Sequence, residues 1–247
     1  MLADRRVVVT GASGGIGRAI ALACAREGAI VGIGHHRSTE AAAALLAEIE
    51  ALGRRAHLLR FDVTDAAAVN AAAAAYAAQE GRIDAWVGSA GVCLPGLLAT
   101  EDDARIRAQL DTNLLGPIFS ARAALPFMLK QRGGVLLFIG SVAAARPARG
   151  QTVYAATKGA VESLTRALAV EYAKKGIRAL CLVPGAVDTG MLRGTLALAE
   201  EEVGARIPLR RVAKPEEVAE TAVFLLSDRA RYMTGSTVAV DGGYLVG

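Results

Sequence analysis

Val7-Val8-Val9-Thr10-Gly11-Ala12-Ser13-Gly14-Gly15-Ile16-Gly17-Arg18-Ala19-Ile20 is the stretch from which the rest of the chain is read. Three β-branched residues in a row predict a buried strand, followed by a glycine-rich turn and the start of a helix. Strand, glycine turn and helix in that order build an anion site. The glycines let the backbone turn tightly and come close to a ligand. The helix start offers free N–H groups and a partial positive charge, which suit a pyrophosphate. The spacing here, Thr10-Gly11-xxx-Gly15-x-Gly17, differs from the GxGxxG dinucleotide fingerprint.

Outward from this turn, short apolar runs alternate with longer Ala-rich stretches of helical character. The runs predict strands at Arg6–Thr10, Ile30–Gly34, Ala56–Arg60, Ala85–Ser89, Gly134–Ser141, Ile177–Val183 and Thr237–Val240. Helices are predicted at Gly15–Glu27, Ser38–Leu52, Asp65–Glu80, Glu101–Lys130, Val153–Lys175 and Pro215–Ser227. Continuously apolar strands separated by helices imply a parallel sheet covered on both faces. The expectation is α/β: a single-domain, Rossmann-type, doubly wound parallel sheet of about seven strands over residues 1–247. One segment, Asp188–Arg211, breaks the rhythm with a weak helix at Thr195–Ala205 flanked by Gly190, Gly194 and Pro208. An insertion after a strand's C-terminal end is expected to be a substrate lid.

Composition narrows the classes. Hydrophobic residues make up 53% of the 247, enough for a large core, and aromatics only 4%. No apolar run reaches the length of a membrane span, and the N-terminus lacks a signal-peptide pattern, so a cytoplasmic protein is expected. The net charge of +4 comes from interspersed Lys, Arg, Asp and Glu without a basic stripe, which argues against nucleic acid. Cys24, Cys93 and Cys181 stand apart in apolar surroundings and read as small buried hydrophobes. His35, His36 and His57 have no HxxxH partner, and no metal site is expected.

The second predicted strand ends at Gly34-His35-His36-Arg37-Ser38. An acidic residue here would bind the adenosine ribose 2′-hydroxyl of NAD, but none is present. Arg37 and Ser38, with His36 near, suit a 2′-phosphate and so favour NADP(H). Ser38 also reads as the N-cap of the next helix, and the two roles are compatible. Asp62-Val63, after the third strand, suits the adenine amino group. At the other end, Tyr154 and Lys158 lie one helical turn apart on one face, and Ser141 closes a strand at the edge where ligands bind. An ammonium beside Tyr154, together with a positive nicotinamide, would favour tyrosinate and suit acid–base work.

Together these motifs closely resemble the short-chain dehydrogenase/reductase family, from Thr10 to Asp241-Gly242-Gly243. The family's TGxxxGxG reads as Thr10 to Gly17, its catalytic Asn as Asn113 in Asp111-Thr-Asn-Leu-Leu-Gly116, and its Ser, Tyr and Lys as Ser141, Tyr154 and Lys158. The resemblance implies a proton relay through water from Asn113 behind Lys158. It also implies cofactor contacts at Gly11, Ser13, Gly15, Ile16, Gly17, Arg37, Ser38, Asp62, Val63, Ala90, Gly91, Tyr154, Lys158, Pro184, Gly185, Val187 and Thr189. Two departures stand out. The family's NNAG is Gly88-Ser89-Ala90-Gly91, and a basic residue common in NADP-preferring members is Gly14.

Within the family, the run Ile207–Val218 and the later Phe224–Asp228 and Tyr232–Gly235 look most like 3-oxoacyl-(acyl-carrier-protein) reductases. Arg132 and Lys175 match positions that dock the acidic carrier protein, although basic residues at helix ends also complement the dipole. NAD(P)H-dependent reduction of a 3-oxoacyl thioester is therefore expected. A dehydrogenase of another secondary alcohol (sugar, steroid or alicyclic) is the alternative, and a non-catalytic nucleotide-binding protein a further one. The resemblance also implies a homotetramer built on the two long helices.

Overall fold

The computed structural model describes residues 1–190 and 206–247. Seven strands form one parallel sheet in the order β3-β2-β1-β4-β5-β6-β7. They are β1 Arg6–Val9, β2 Ile30–His35, β3 Ala56–Arg60, β4 Ala85–Gly88, β5 Gly134–Ile139, β6 Ile177–Pro184 and β7 Thr237–Val240. The helices are α1 Gly15–Arg26, α2 Thr39–Ala51, α3 Ala66–Glu80, α4 Asp103–Leu110, α5 Gly116–Gln131, α6 Thr152–Tyr172 and α7 Pro215–Leu226. The strand order reverses between β1 and β4. Open α/β sheets bind their ligands in the crevice beyond such a reversal.

Alternation along the strands splits the core in two. Val7, Val9, Val31, Ile33, Leu137 and Leu182 face a layer made by α1, α2 and α7. Val8, Trp86, Leu136, Phe138 and Cys181 face α3, α5 and α6 on the opposite side. Every interior strand is thus apolar on both faces, which is why its sequence reads as an unbroken run rather than as alternation. Alanine lets helices sit close: Ala19, Ala21, Ala42, Ala72, Ala73 and Ala124 are all buried. Asp65 starts α3 by accepting from the N–H groups of Ala67 at 2.9 Å and Ala68 at 3.1 Å. Gly81, at φ +80°, ends it.

The predicted single helix Glu101–Lys130 is two helices. A π-helical turn over Asp111–Leu115 joins α4 to α5, and Pro117 lies in the first turn of α5. Proline has no N–H to give to the carbonyl four residues back, which here belongs to Asn113. The ladder slips by one residue, and Gly116 N–H bonds to Asp111 instead. Such turns are frequent at functional sites. Of the expected lid at 188–211, the helix Thr195–Ala205 and Gly194 lie outside the described residues. The flanks are described: Asp188 N–H bonds to Ala213 at 2.9 Å, and Val187 pairs with Ala213 as an isolated bridge.

Candidate active site

The glycine turn lies at the sheet's reversal point, where it meets the loop after β4. Gly11 has φ +65°, and a Cβ on it would lie 2.8 Å from Ala90 Cα. A Cβ on Gly17 would lie 2.4 Å from the Gly11 carbonyl oxygen. Only glycine fits either place, and the backbone is left bare on its outer side. Gly15 follows at φ +53°, and a Cβ on it would lie 3.3 Å from the Thr189 methyl, so the segment after β6 reaches back to the turn. Gly185 is pressed against Asp241, with 2.7 Å from a notional Cβ to its Cα, which holds Pro184-Gly185 against the end of β7. Gly14, extended at φ −163°, caps α1 without a side chain and has nothing within 4 Å of a notional Cβ. The first N–H groups of α1 thus have no side-chain cap, and with Ser13 and Ile16 they make a cradle that fits a pyrophosphate.

The two missing amides of the Gly88-Ser89 loop have a local explanation. A side chain at Gly88 would meet the Phe138 ring at 2.9 Å, so the aromatic ring takes that space. The Thr10 hydroxyl holds the loop instead, accepting from the N–H groups of Ser89 and Ala90 at 3.1 Å each. Ala90 and Gly91 are in this way fixed beside the glycine turn.

At the adenosine end, Arg37 and Ser38 are exposed just beyond β2. Ser38 occupies the N-cap position of α2, but its hydroxyl makes no cap bond. Ser38 is thus the N-cap by position, as read from the sequence, and its hydroxyl is left available to a ligand. His36 Nδ1 lies 3.3 Å from Asp62 Oδ2. Burial works to raise the Asp62 pKa. Hydrogen bonds from the Thr64 N–H and hydroxyl, at 2.9 Å each, and the charges of His36 and Arg37 hold it below the ordinary carboxylate value. Val63 presses against Gly116, 3.1 Å from a notional Cβ there, tying this corner to the start of α5.

Asn113, Ser141, Tyr154 and Lys158 converge at the C-terminal ends of β4 and β5. Ser141 closes β5 and accepts from the Ala143 N–H at 3.1 Å, which leaves its own proton free to be donated. It is hydrogen-bonded to the Tyr154 hydroxyl. Lys158 is buried and donates to the Ile139 carbonyl at 2.8 Å, with Nζ 5.6 Å from the centre of the Tyr154 ring. A Cβ on Gly91 would lie 3.3 Å from Asn113 Oδ1 and 3.7 Å from Lys158 Nζ, so the loop after β4 closes the group. Asn113 accepts from the Val92 N–H and donates to the Val92 carbonyl, at 2.8 Å each, and also donates to Thr157 Oγ1 at 3.3 Å.

Burial dominates the electrostatics of the protein without its cofactor. Burial pushes the Tyr154 phenol up to about 12, with the Ser141 hydrogen bond opposing. Burial pushes Lys158 down to about 8. In the protein alone, desolvation outweighs the Ser141 hydrogen bond at the phenol, and the Lys158 ammonium donates to the Ile139 carbonyl. Tyr154 is therefore held as the neutral acid.

Sequence reading also missed Cys93. Only Cys24 and Cys181 are buried apolar thiols, whereas Cys93 is half-buried. It lies near enough to Tyr154 and Lys158 for its charge to act on both. Burial raises the Cys93 thiol and Lys158 opposes the shift. Thr10 was read only as the head of the glycine motif, with no role of its own, and Gln109 was overlooked. A polar residue at a strand end or helix face carries no pattern that says what it holds.

Arg132 and Lys175 come together, but far from this group. Arg132 ends α5 at φ +56°, and a notional Cβ on Gly176 would lie 2.7 Å from its carbonyl oxygen. Both precede β5 and β6 at the N-terminal edge of the sheet. The reacting residues are at the opposite edge, about 20 Å away by the rise of one six-residue strand.

Comparison with known proteins agrees with this geometry. Residues 11–245 match the family model described as enoyl-(acyl carrier protein) reductase. The chain is 37% identical over 243 residues to the 3-oxoacyl-(acyl-carrier-protein) reductase FabG of Staphylococcus aureus, covering 98% of this chain and 99% of that one. It is 38% identical over 250 residues to an L-rhamnose 1-dehydrogenase (NAD(P)(+)) of a Sphingomonas species, covering 100% and 98%. A crystal structure of a short chain dehydrogenase from Burkholderia cenocepacia in complex with NADP superposes with a TM-score of 0.92 at 34% identity, covering 98% of each chain.

Proposed function

The chain belongs to the short-chain dehydrogenase/reductase family, and from that premise we propose that it reduces a ketone to a secondary alcohol with Tyr154 as the proton donor. That it is an NAD(P)-dependent oxidoreductase follows from the family and from its NADP-bound structural relative. The observation that carries the residue assignment is the convergence of Ser141, Tyr154 and Lys158 at the end of β5, with Tyr154 held neutral.

Bound at the glycine turn, the reduced cofactor supplies the hydride that the carbonyl carbon receives. Gly11, Ser13, Gly15, Ile16 and Gly17 would hold its pyrophosphate, and Asp62, Val63, Ala90 and Gly91 its adenosine. Pro184, Gly185, Val187 and Thr189 would flank the nicotinamide. Arg37 and the uncapped hydroxyl of Ser38 favour the 2′-phosphate of NADP(H). Ser141 donates to the substrate oxygen and fixes its position, and Tyr154 gives that oxygen its proton. Lys158 holds the ribose hydroxyls and, through Asn113 and water, connects Tyr154 to solvent for reprotonation.

For the substrate we favour a 3-oxoacyl thioester, supported by the resemblance over Ile207–Val218 and the likeness to FabG. The position of Arg132 and Lys175 favours a second reading. Acyl carrier protein docked there stands a whole strand length from this chain's own Ser141 and Tyr154, a separation that a small secondary alcohol, such as a sugar, does not meet. The test is NADPH consumption with acetoacetyl thioesters and with a panel of small ketones, using Tyr154→Phe as control. Turnover is expected, with the variant slower by at least about 10²-fold. Clean NADPH binding without turnover of any ketone, or full activity in Tyr154→Phe, would overturn the assignment.

A further inference from the structure

Arg105 and Gln109 lie four apart on α4 and so share a face, with Glu101 two residues before the helix and Asn113 in the π-helical turn after it. Each meets a different residue of the loop after β4, in reverse order. Asn113 exchanges two hydrogen bonds with Val92. Gln109 does the same with Leu94, accepting from its N–H at 3.3 Å and donating to its carbonyl at 3.4 Å. Arg105 donates to the Pro95 carbonyl at 2.9 Å and, through Nε, to the Glu101 carboxylate at 2.5 Å. The Glu101 carboxylate lies directly over Gly96, so a side chain there would push it aside. Gln109 is buried, and the Glu101 side chain is only 4% exposed.

Two carboxamides one turn apart thus act like a neighbouring strand for the extended segment Val92–Leu94. Each satisfies both backbone groups of one residue and skips the residue between. The skipped residue is Cys93, the side chain near Tyr154 and Lys158. Loop segments with no such anchor move on fast timescales, and a wall that moves lets the carbonyl sit out of line.

We propose that Gln109, with Arg105 behind it, is a positioning residue that locks Val92–Pro95 as a fixed wall of the substrate cleft and sets where Cys93 stands. The inference rests on the site being the one that holds the ketone. The locking itself is a property of the folded chain and is read without turnover. Hydrogen exchange of the Leu94 amide, which Gln109 accepts, should be slow in the wild type. It should rise at least about tenfold in Gln109→Leu, which keeps the volume but loses both bonds, while the sheet amides stay protected. NADPH affinity by fluorescence titration should stay within about twofold, and kcat/KM on the ketone found above should drop about tenfold, mostly through KM.

Gln109→Glu supplies the control. A protonated carboxyl can both accept from Leu94 N–H and donate to its carbonyl, whereas a carboxylate can only accept. Its exchange rate, taken as a ratio to wild type at each pH, should be near one in acid and rise as the carboxyl ionises. The Gln109→Leu ratio should be flat with pH. Equal exchange in Gln109→Leu and wild type overturns the locking. Faster exchange with unchanged kcat/KM overturns the role in positioning substrate. A rise spread over all amides overturns both, since it marks Gln109 as a general stability residue. If wild-type protein turns over no ketone, the enzyme assignment fails and the positioning role falls with it, whatever the exchange shows.

Discussion

Lys158 and Tyr154 are shifted by burial in opposite directions, and each shift has a consequence for stability. Lys158 is lowered from 10.5 to about 8, so between those values the unfolded chain binds the extra proton. Stability from this group therefore rises as pH climbs from about 8 to 10.5, by roughly 3 kcal/mol for a shift of this size. Tyr154 is raised from 10.0 to about 12, so the folded state keeps its proton and stability falls above pH 10. The difference in urea stability between the wild type and Lys158→Met should grow as pH climbs from 8 to 10, while the buried thiols of Cys24 and Cys181, raised from 9.0 to about 12, lower the stability of both proteins above pH 9. An unchanged slope in the variant would show that Lys158 is not charged at a cost in the folded protein. The direction of these shifts was invisible in the sequence. Spacing placed Lys158 one turn from Tyr154, and the structure turns its ammonium to the Ile139 carbonyl instead. The absence of an acid after β2, by contrast, is a fact of the sequence, and the structure leaves Arg37 exposed there.

Among the elements, the glycine turn shows how unequal neighbouring glycines are. Gly17→Ala drives a methyl into the Gly11 carbonyl, and overpacking of this kind costs about 1–3 kcal/mol. It should lower the melting temperature and abolish NADPH binding together. Gly14→Ala meets nothing within 4 Å at an extended backbone position and should leave both within error. Differential scanning fluorimetry with and without NADPH measures the pair, and equal effects of the two changes would refute the cradle described here. At this scale the sequence was informative wherever a pattern repeats. All seven strands follow from apolar runs. The single helix drawn over Glu101–Lys130 failed, because helical periodicity continues through Asp111–Leu115 while the hydrogen-bond ladder slips. Pro117 was the available signal, and it reads equally well as the first residue of a new helix. Gln109 escaped for a related reason: a buried amide on an amphipathic helix shows no pattern until its backbone partner is seen.

For the whole molecule, the question is what covers the outer helices. Leu110, Leu115, Leu129 and Val170 are exposed on α4, the turn after it, α5 and α6, with Val170 at 86%. Apolar side chains spread over the two long helices fit a homotetramer assembled through them. Light scattering should return about 102 kDa, four times the 25.5 kDa chain, and Val170→Glu should shift it downward. A wild-type mass near that of one chain would refute the assembly. The packing of Phe138 against Gly88 carries a last implication, for descent rather than for chemistry. Restoring an asparagine at 88 alone collides with the ring, and shrinking Phe138 alone opens a void in the core. The two positions form an epistatic pair, since the interior admits an asparagine at 88 only together with a smaller residue at 138.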